Sequence, residues 1–245
     1  MKNGKDNEIA IIQSLSGLTY QELSEKWKKH VKKMFPEIKE QDKITAYFYR
    51  DAFAKPDIVV TVNDRSVYIS IKSGKNPSCH HENFSDFSYF LIKQGVPDRI
   101  IRILSFYQFG RSDKLSNNGV AFTKEEIQTK FKPYVLEASE YFLKHPQIVR
   151  KIIHRSLIRG TRYYGDEVDF FYYGNSERGF ILSREEVYNE ILKDEFIDSK
   201  TLHFYALVFQ PDGRKEDRPN HLFIRIKWPV LSLRFYDEEF LQKYS

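Results

Sequence analysis

Asp57, Ser70 and Lys72 are the residues of this chain whose types and spacing best suit chemistry. From Asp57 to Val62 the sequence is β-branched and apolar, as a buried strand is. Asn63, Asp64, Arg65 and Ser66 are turn formers. From Val67 to Lys72, the residues Val67, Ile69 and Ile71 alternate with Tyr68, Ser70 and Lys72, the period of a second strand. A hairpin whose turn centres on Asp64 and Arg65 sets Asp57 across from Lys72 and Val59 across from Ser70. Opposed side chains share a face at about 5 Å, unless a bulge shifts them. A carboxylate and an ammonium at the end of an apolar hairpin form either an ion pair on its rim or a site.

Hydrolysis of a phosphodiester calls for hard oxygen ligands to Mg²⁺ and a cation beside the attacking water. Asp57 can supply the first and Lys72 the second. A second carboxylate is wanted, and the position two before the lysine holds Ser70. A serine can hydrogen-bond a water but brings no charge. Glu82 lies ten residues beyond Lys72, where a loop is expected to give way to a helix, and Asp86 follows one turn later on the same face. Either acid can make up the set.

Pro56-Asp57, then Ser70-Ile71-Lys72, then Glu82 resembles the PD-(D/E)xK nuclease superfamily, whose fold is restriction-endonuclease-like. Most members carry Asp or Glu where Ser70 stands. A subgroup of type II restriction enzymes reads Pro-Asp, Ser-x-Lys and then Glu on the following helix, and this chain is similar to that variant. It lacks the Arg-acid-Arg motif that several of those enzymes carry after the lysine, so no recognition site follows. The match spans about 30 of 245 residues. The resemblance implies catalysis by Asp57, Ser70, Lys72 and Glu82, with Mg²⁺ held by Asp57 and Glu82 or Asp86. It implies double-stranded DNA as substrate and a homodimer. It also allows a glutamate of the first helix to approach the metal, for which Glu22 and Glu25 are the candidates, although capping and dipole complementation already explain both.

The elements that must position these residues follow from pattern. Thr19 to Glu22 reads as a capping box opening a helix with Leu23, Trp27, Val31 and Met34 on one face. Lys26, Lys28, Lys29, Lys32 and Lys33 cover the rest, as a solvated face or a phosphate-binding flank. Ile44 to Tyr49 is a strand. Gly74 to Pro77 is an irregular loop, and Glu82 to Lys93 a helix. Residues 97–160 read as helices forming a lobe inserted in a single domain, 1–245. Lys75, Asn76, His80, Arg155, Arg159 and Arg162 are the candidates for gripping nucleic acid. Arg155, Arg159 and Arg162 run into Tyr163 and Tyr164, a basic and aromatic cluster that a salt-bridged surface helix explains equally. Val168 to Tyr173, Phe180 to Leu182, Leu202 to Phe209, His221 to Trp228 and Val230 to Phe235 read as strands, with a helix from Ser183 to near Asp194.

Composition bounds the rest. Hydrophobic residues make up 41% and charged residues 30%, a globular balance that excludes disorder. A net charge of +5 is compatible with a polyanionic partner without requiring one. One cysteine, Cys79, excludes an internal disulfide, and with His80 and His81 it does not make a zinc spacing. No run of about 18 apolar residues is present and no apolar stretch follows the N-terminal charges, so neither a membrane helix nor a signal peptide is expected, and the cytoplasm is the default. No glycine-rich phosphate loop or serine–histidine constellation is seen, so no small-molecule cofactor is expected. The expectation is therefore a mixed α/β fold of restriction-endonuclease-like type, a central mixed sheet flanked by helices, acting as a Mg²⁺-dependent DNA endonuclease. Two other classes stay open. One is a non-catalytic nucleic-acid-binding protein on the same scaffold, which Ser70 favours. The other is a structural or partner-binding protein with solvated basic faces.

Overall fold

A computed structural model of the chain describes residues 4–51, 54–75, 77–111, 121–161, 165–195, 201–212 and 222–244. In chain order the elements are α1 (Gly4–Gln13), α2 (Glu25–Met34), β1 (Ile44–Phe48), β2 (Ile58–Val62), β3 (Arg65–Lys72), β4 (Ser78–Asn83), α3 (Phe84–Lys93), α4 (Asp98–Phe109), α5 (Lys124–Lys130), α6 (Lys132–Leu143) and α7 (Pro146–Ile153). A π-helical turn (His154–Arg159) follows, then β5 (Phe170–Gly174), β6 (Gly179–Ser183), α8 (Arg184–Leu192), β7 (Leu202–Phe204), β8 (Leu207–Pro211), β9 (Phe223–Lys227), α9 (Leu231–Arg234) and α10 (Glu238–Tyr244). The fold is mixed α/β, with a mixed sheet flanked by helices. The chain divides into two compact units, one of residues 1–77, 153–189 and 230–245, the other of residues 78–152 and 190–229. The stretch 97–160 is helical among its described residues, and it contributes to both units. No described helix is long and apolar enough to cross a membrane.

The first unit holds a five-stranded sheet in the order β1-β2-β3-β5-β6. Only β3 and β5 run parallel; the other pairs are antiparallel. Ile44 and Ala46 of β1, Ile58, Val60 and Val62 of β2, and Val67, Ile69 and Ile71 of β3 all turn to one face. There they meet Ile11 and Leu15, and Trp27, Val31 and Met34 of α2. Burying each such side chain contributes about 1.5–3 kcal/mol, so this face fixes the hairpin in place. Residues of opposite parity, among them Ser70 and Lys72, face the other way.

The hairpin forms as expected, but its register is displaced by two residues. Val62 pairs with Arg65 and Ile58 with Ile69, so Val59 faces Tyr68 and not Ser70. The loop is Asn63 and Asp64, with Asn63 at φ +53°. Asparagine tolerates that left-handed conformation, which two-residue hairpin loops demand.

Near the N-terminus two expectations change. The Thr19–Glu22 capping box closes a single 3-10 turn, and the helix proper starts after Ser24, whose side chain accepts from the Trp27 N–H. The first helix is instead α1. Two of its supposed phosphate-gripping neighbours on α2 are structural. Lys26 donates to Tyr172 Oη (2.7 Å) and to the carbonyls of Asn175 and Ser176, and Lys33 pairs with Glu186 (2.7 Å).

The second unit holds an antiparallel sheet in the order β4-β9-β8-β7. Residues 202–211 make a hairpin rather than one strand, because Tyr205 takes φ +57° between β7 and β8. Residues 78–83 form an unanticipated strand, and α3 begins only at Phe84, capped by Asn83. In the first unit Val230 to Phe235, read as a strand, is the short helix α9. Of its two leucines only Leu231 is buried, and Leu233 is 69% exposed, so the alternation does not correspond to a sheet face.

Candidate active site

The open end of the β2–β3 hairpin, away from its turn, brings Asp57, Ser70 and Lys72 together. Backbone bonds fix Asp57 on both sides: its N–H donates to Ile69 O, and its carbonyl accepts from Tyr49 N–H. The displaced register sets Asp57 beside Ser70 and Ile71 rather than across from Lys72. Lysine's four-carbon stem covers the difference, and Lys72 Nζ reaches Asp57 Oδ2 at 3.1 Å.

Asp57 Oδ2 is also the acceptor for Ser70 Oγ (3.0 Å) and for the Ile71 N–H. Ser70 Oγ in turn accepts from Lys72 Nζ (2.9 Å), and Lys72 gives its third bond to Ile71 O (3.0 Å). Ser70 is buried, at 1% exposure. It acts as a hinge pin between acid and base, and the ammonium's three donors are all engaged. The Asp57 and Lys72 side chains keep 26% and 20% exposure, so the pair opens to solvent on one side.

Glu8 of α1 feels the charges of this pair. Glu8 is half-buried, and its carboxyl is raised above the ordinary range, first by burial and then by the negative charge of Asp57; Lys72 and Lys5 pull the other way. That coupling brings Glu8 into the electrostatic field of Asp57 and Lys72. The two carboxylates offer hard oxygens of the kind that suit Mg²⁺, which takes one or two protein carboxylates and completes its shell with water and phosphate oxygens. Among the described residues no group of three or more His, Cys, Asp and Glu side chains is gathered for a metal.

Glu8 was not singled out from sequence. The signal was present in weak form: Asn7 and Ile11 are buried at helical spacing, which sets Glu8 beside the packed stripe. Glu22 and Glu25 do other work. Glu22 accepts from Thr19 in the capping box, and Glu25 pairs with Lys28 (2.9 Å).

Glu82 and Asp86 belong to the second unit. Glu82 sits on strand β4, opposite Ile224, and not on the helix that follows. The reason is pairing with β9, which buries Cys79, His80 and Glu82 across a register shift after Ser78 and leaves His81 exposed. Buried His80 Nε2 is hydrogen-bonded to the Glu82 carboxylate at 2.7 Å. Asp86 is exposed in the first turn of α3. Of the residues expected to grip nucleic acid, Lys75 is exposed, His80 is buried against Glu82, Arg155 is half-buried and Arg159 exposed on the π-helical turn. Asn76, Arg162, Tyr163 and Tyr164 lie outside the described residues.

No family model matches this chain, and no curated protein does. Among solved structures its backbone is similar to that of restriction endonuclease MspI in complex with its cognate DNA. The TM-score is 0.49 and the identity 11%, over 82% of this chain and 77% of that one. That likeness is one of backbone path, and the chemistry of this chain stands on its own side chains.

Proposed function

We propose that the chain is a Mg²⁺-dependent endonuclease that hydrolyses phosphodiester bonds of double-stranded DNA, in the manner of a type II restriction enzyme, as a homodimer. The observation that carries the reading is the contact of Asp57, Ser70 and Lys72 at the open end of the hairpin, with the Glu8 carboxyl sensing their charges. Two acids suit a hard divalent cation, and the adjacent ammonium suits the charge that builds up on a phosphate under attack.

Asp57 and Glu8 would hold the ion, with Asp57 Oδ2 kept in place by Ser70 and the Ile71 N–H. Bound Mg²⁺ supplies Lewis-acid polarisation of the scissile phosphate. Lys72 would orient the attacking water and stabilise negative charge on the phosphate oxygens. It must first exchange one of its three present acceptors for substrate. Ser70 would steer Lys72 and Asp57 relative to each other. Glu82 and Asp86 stay within the proposal as the acids of the PD-(D/E)xK variant, to be compared with Glu8.

Saturation of Lys72 favours a second reading, a nucleic-acid-binding protein on a degenerate nuclease scaffold. The deciding experiment is plasmid cleavage in Mg²⁺ over a varied set of DNAs, with Asp57→Ala, Lys72→Ala, Glu8→Gln, Glu82→Gln and Asp86→Asn. Cleavage by the wild type that is lost in Asp57→Ala and Lys72→Ala supports the enzyme. Salt-sensitive DNA binding without any cleavage, unchanged in Lys72→Ala, supports the binder.

A further inference from the structure

The site does not stand alone on its sheet face. Tyr68, Ser70 and Lys72 alternate along β3 and so face the same side. The register extends that face across β2 and β1 in two rows, Thr45–Thr61–Ser66 and Tyr47–Val59–Tyr68. Val59 is buried at 3% yet is absent from the core beneath the helices, as its parity requires. Tyr49 follows the last residue of β1, beside Asp57, to whose carbonyl its N–H donates.

The three tyrosines differ in freedom. The Tyr49 and Tyr68 rings meet edge to face at 5.8 Å. Tyr49 Oη donates to Asp166 Oδ2 at 3.1 Å, and the Tyr68 phenol also hydrogen-bonds Asp166. These two rings are therefore held before any ligand arrives. Tyr47, beyond Val59 from Tyr68, keeps 42% of its surface exposed. The other row offers hydroxyls, with Thr61 and Ser66 bonded to each other at 2.9 Å.

We infer that this face is a stacking platform for an unpaired stretch of nucleic acid running into the Asp57–Lys72 site, with Tyr47 and Tyr68 taking bases and the threonine–serine row meeting sugar and phosphate oxygens. Rings standing on an open sheet are the means by which proteins hold unstacked bases without reading sequence. A second copy of the chain fits less well, because the one aliphatic side chain of the two rows, Val59, is already covered. The inference narrows the proposed nuclease to duplexes whose strands are opened at the cut, and for its place in a reaction it rests on that proposal.

The test is a titration of the full chain, in EDTA to prevent cutting, with a 12-nucleotide single-stranded DNA carrying 2-aminopurine and with the matching duplex as competitor. Stacking predicts quenched fluorescence, single strand preferred over duplex, and roughly tenfold weaker binding in Tyr47→Ala and Tyr68→Ala. Tyr47→Trp should keep both affinity and quench. Unchanged affinity in both alanine variants, or no quench with the wild type, overturns the platform even if the protein cuts DNA. Quench and tyrosine dependence in a protein that cuts nothing leave the platform standing and remove the nuclease.

Discussion

Burial and the negative charge of Asp57 hold the Glu8 carboxyl above the usual carboxylate range. A shift of that kind carries two linked consequences. A folded state that binds a proton more tightly than the unfolded chain loses stability as pH rises from the ordinary value of 4.5 through the raised one. Ionised Glu8 therefore costs stability at neutral pH, and a divalent cation beside it would relieve that cost. Glu8→Gln should raise the urea midpoint at pH 7 while abolishing Mg²⁺-dependent cleavage. Asp57→Asn should lower the Glu8 pKa, read from carboxyl ¹³C shifts against pH. A Glu8 titration indifferent to Asp57 would break the pair.

Lys72 and Ser70 should separate by magnitude. Loss of a charge-stabilising donor costs about 10²–10³ in kcat, and Lys72→Ala is expected to fall in that range. Lys72→Arg should not restore activity, since a planar fork cannot reproduce bonds to Asp57 Oδ2, Ser70 Oγ and Ile71 O at once. Ser70→Ala leaves acid and base in contact and removes only their bridge, so its loss should be smaller, about tenfold in kcat with little change in KM. Single-turnover kinetics on one plasmid substrate reads all three. An equal loss in Ser70→Ala and Lys72→Ala would give the serine more than a positioning role.

These residues show what local pattern can and cannot specify. The hairpin and the Asp57–Lys72 contact were readable because alternation of Val67, Ile69 and Ile71 with polar residues fixes which side chains share a face. The register was not, since either of two adjacent residue pairs can form the turn and Asn63's left-handed φ decides it. The contact survived the error only because a lysine is long. Glu8 was hidden because Ile9 to Ile12 is a contiguous apolar run without a cap, and its role depends on which sheet end α1 reaches. Glu82 was assigned to a helix because a strand of Ser, Cys, His, His, Glu and Asn has almost no β propensity. Pairing with Phe223 to Lys227, far along the chain, makes it a strand.

Gly179 offers a stability test of the sheet beneath the site. A Cβ there would fall 2.2 Å from Tyr172 Oη and 2.6 Å from Tyr173 O. Tyr172 cannot simply swing away, because its phenol is tied to Lys26 and to Asn175 O. Gly179→Ala should therefore destabilise by about 1–3 kcal/mol, and Gly179→Ala with Tyr172→Phe should recover part of that loss. Denaturant unfolding of the single and double variants checks the coupling. Additive losses would mean that the clash is relieved elsewhere.

His30 sets an acid limit on the first unit. It is buried at 1% exposure on α2, edge-on to Trp27 and Tyr172. Burial, then the charges of Lys26, Lys33 and Lys29, lower its pKa to about 3 from 6.5. The folded chain keeps the imidazole neutral while the unfolded chain protonates it, so stability present above pH 6.5 is lost as pH falls towards 3. The slope is at most about 1.4 kcal/mol per pH unit, or about 2 kcal/mol between pH 6.5 and 5. His30→Phe removes the proton uptake and keeps a ring against Trp27. Its urea unfolding free energy should fall less than that of the wild type between pH 7 and 5, by about 2 kcal/mol. Parallel curves for the two proteins would show that His30 takes up its proton in the folded state as readily as in the unfolded one.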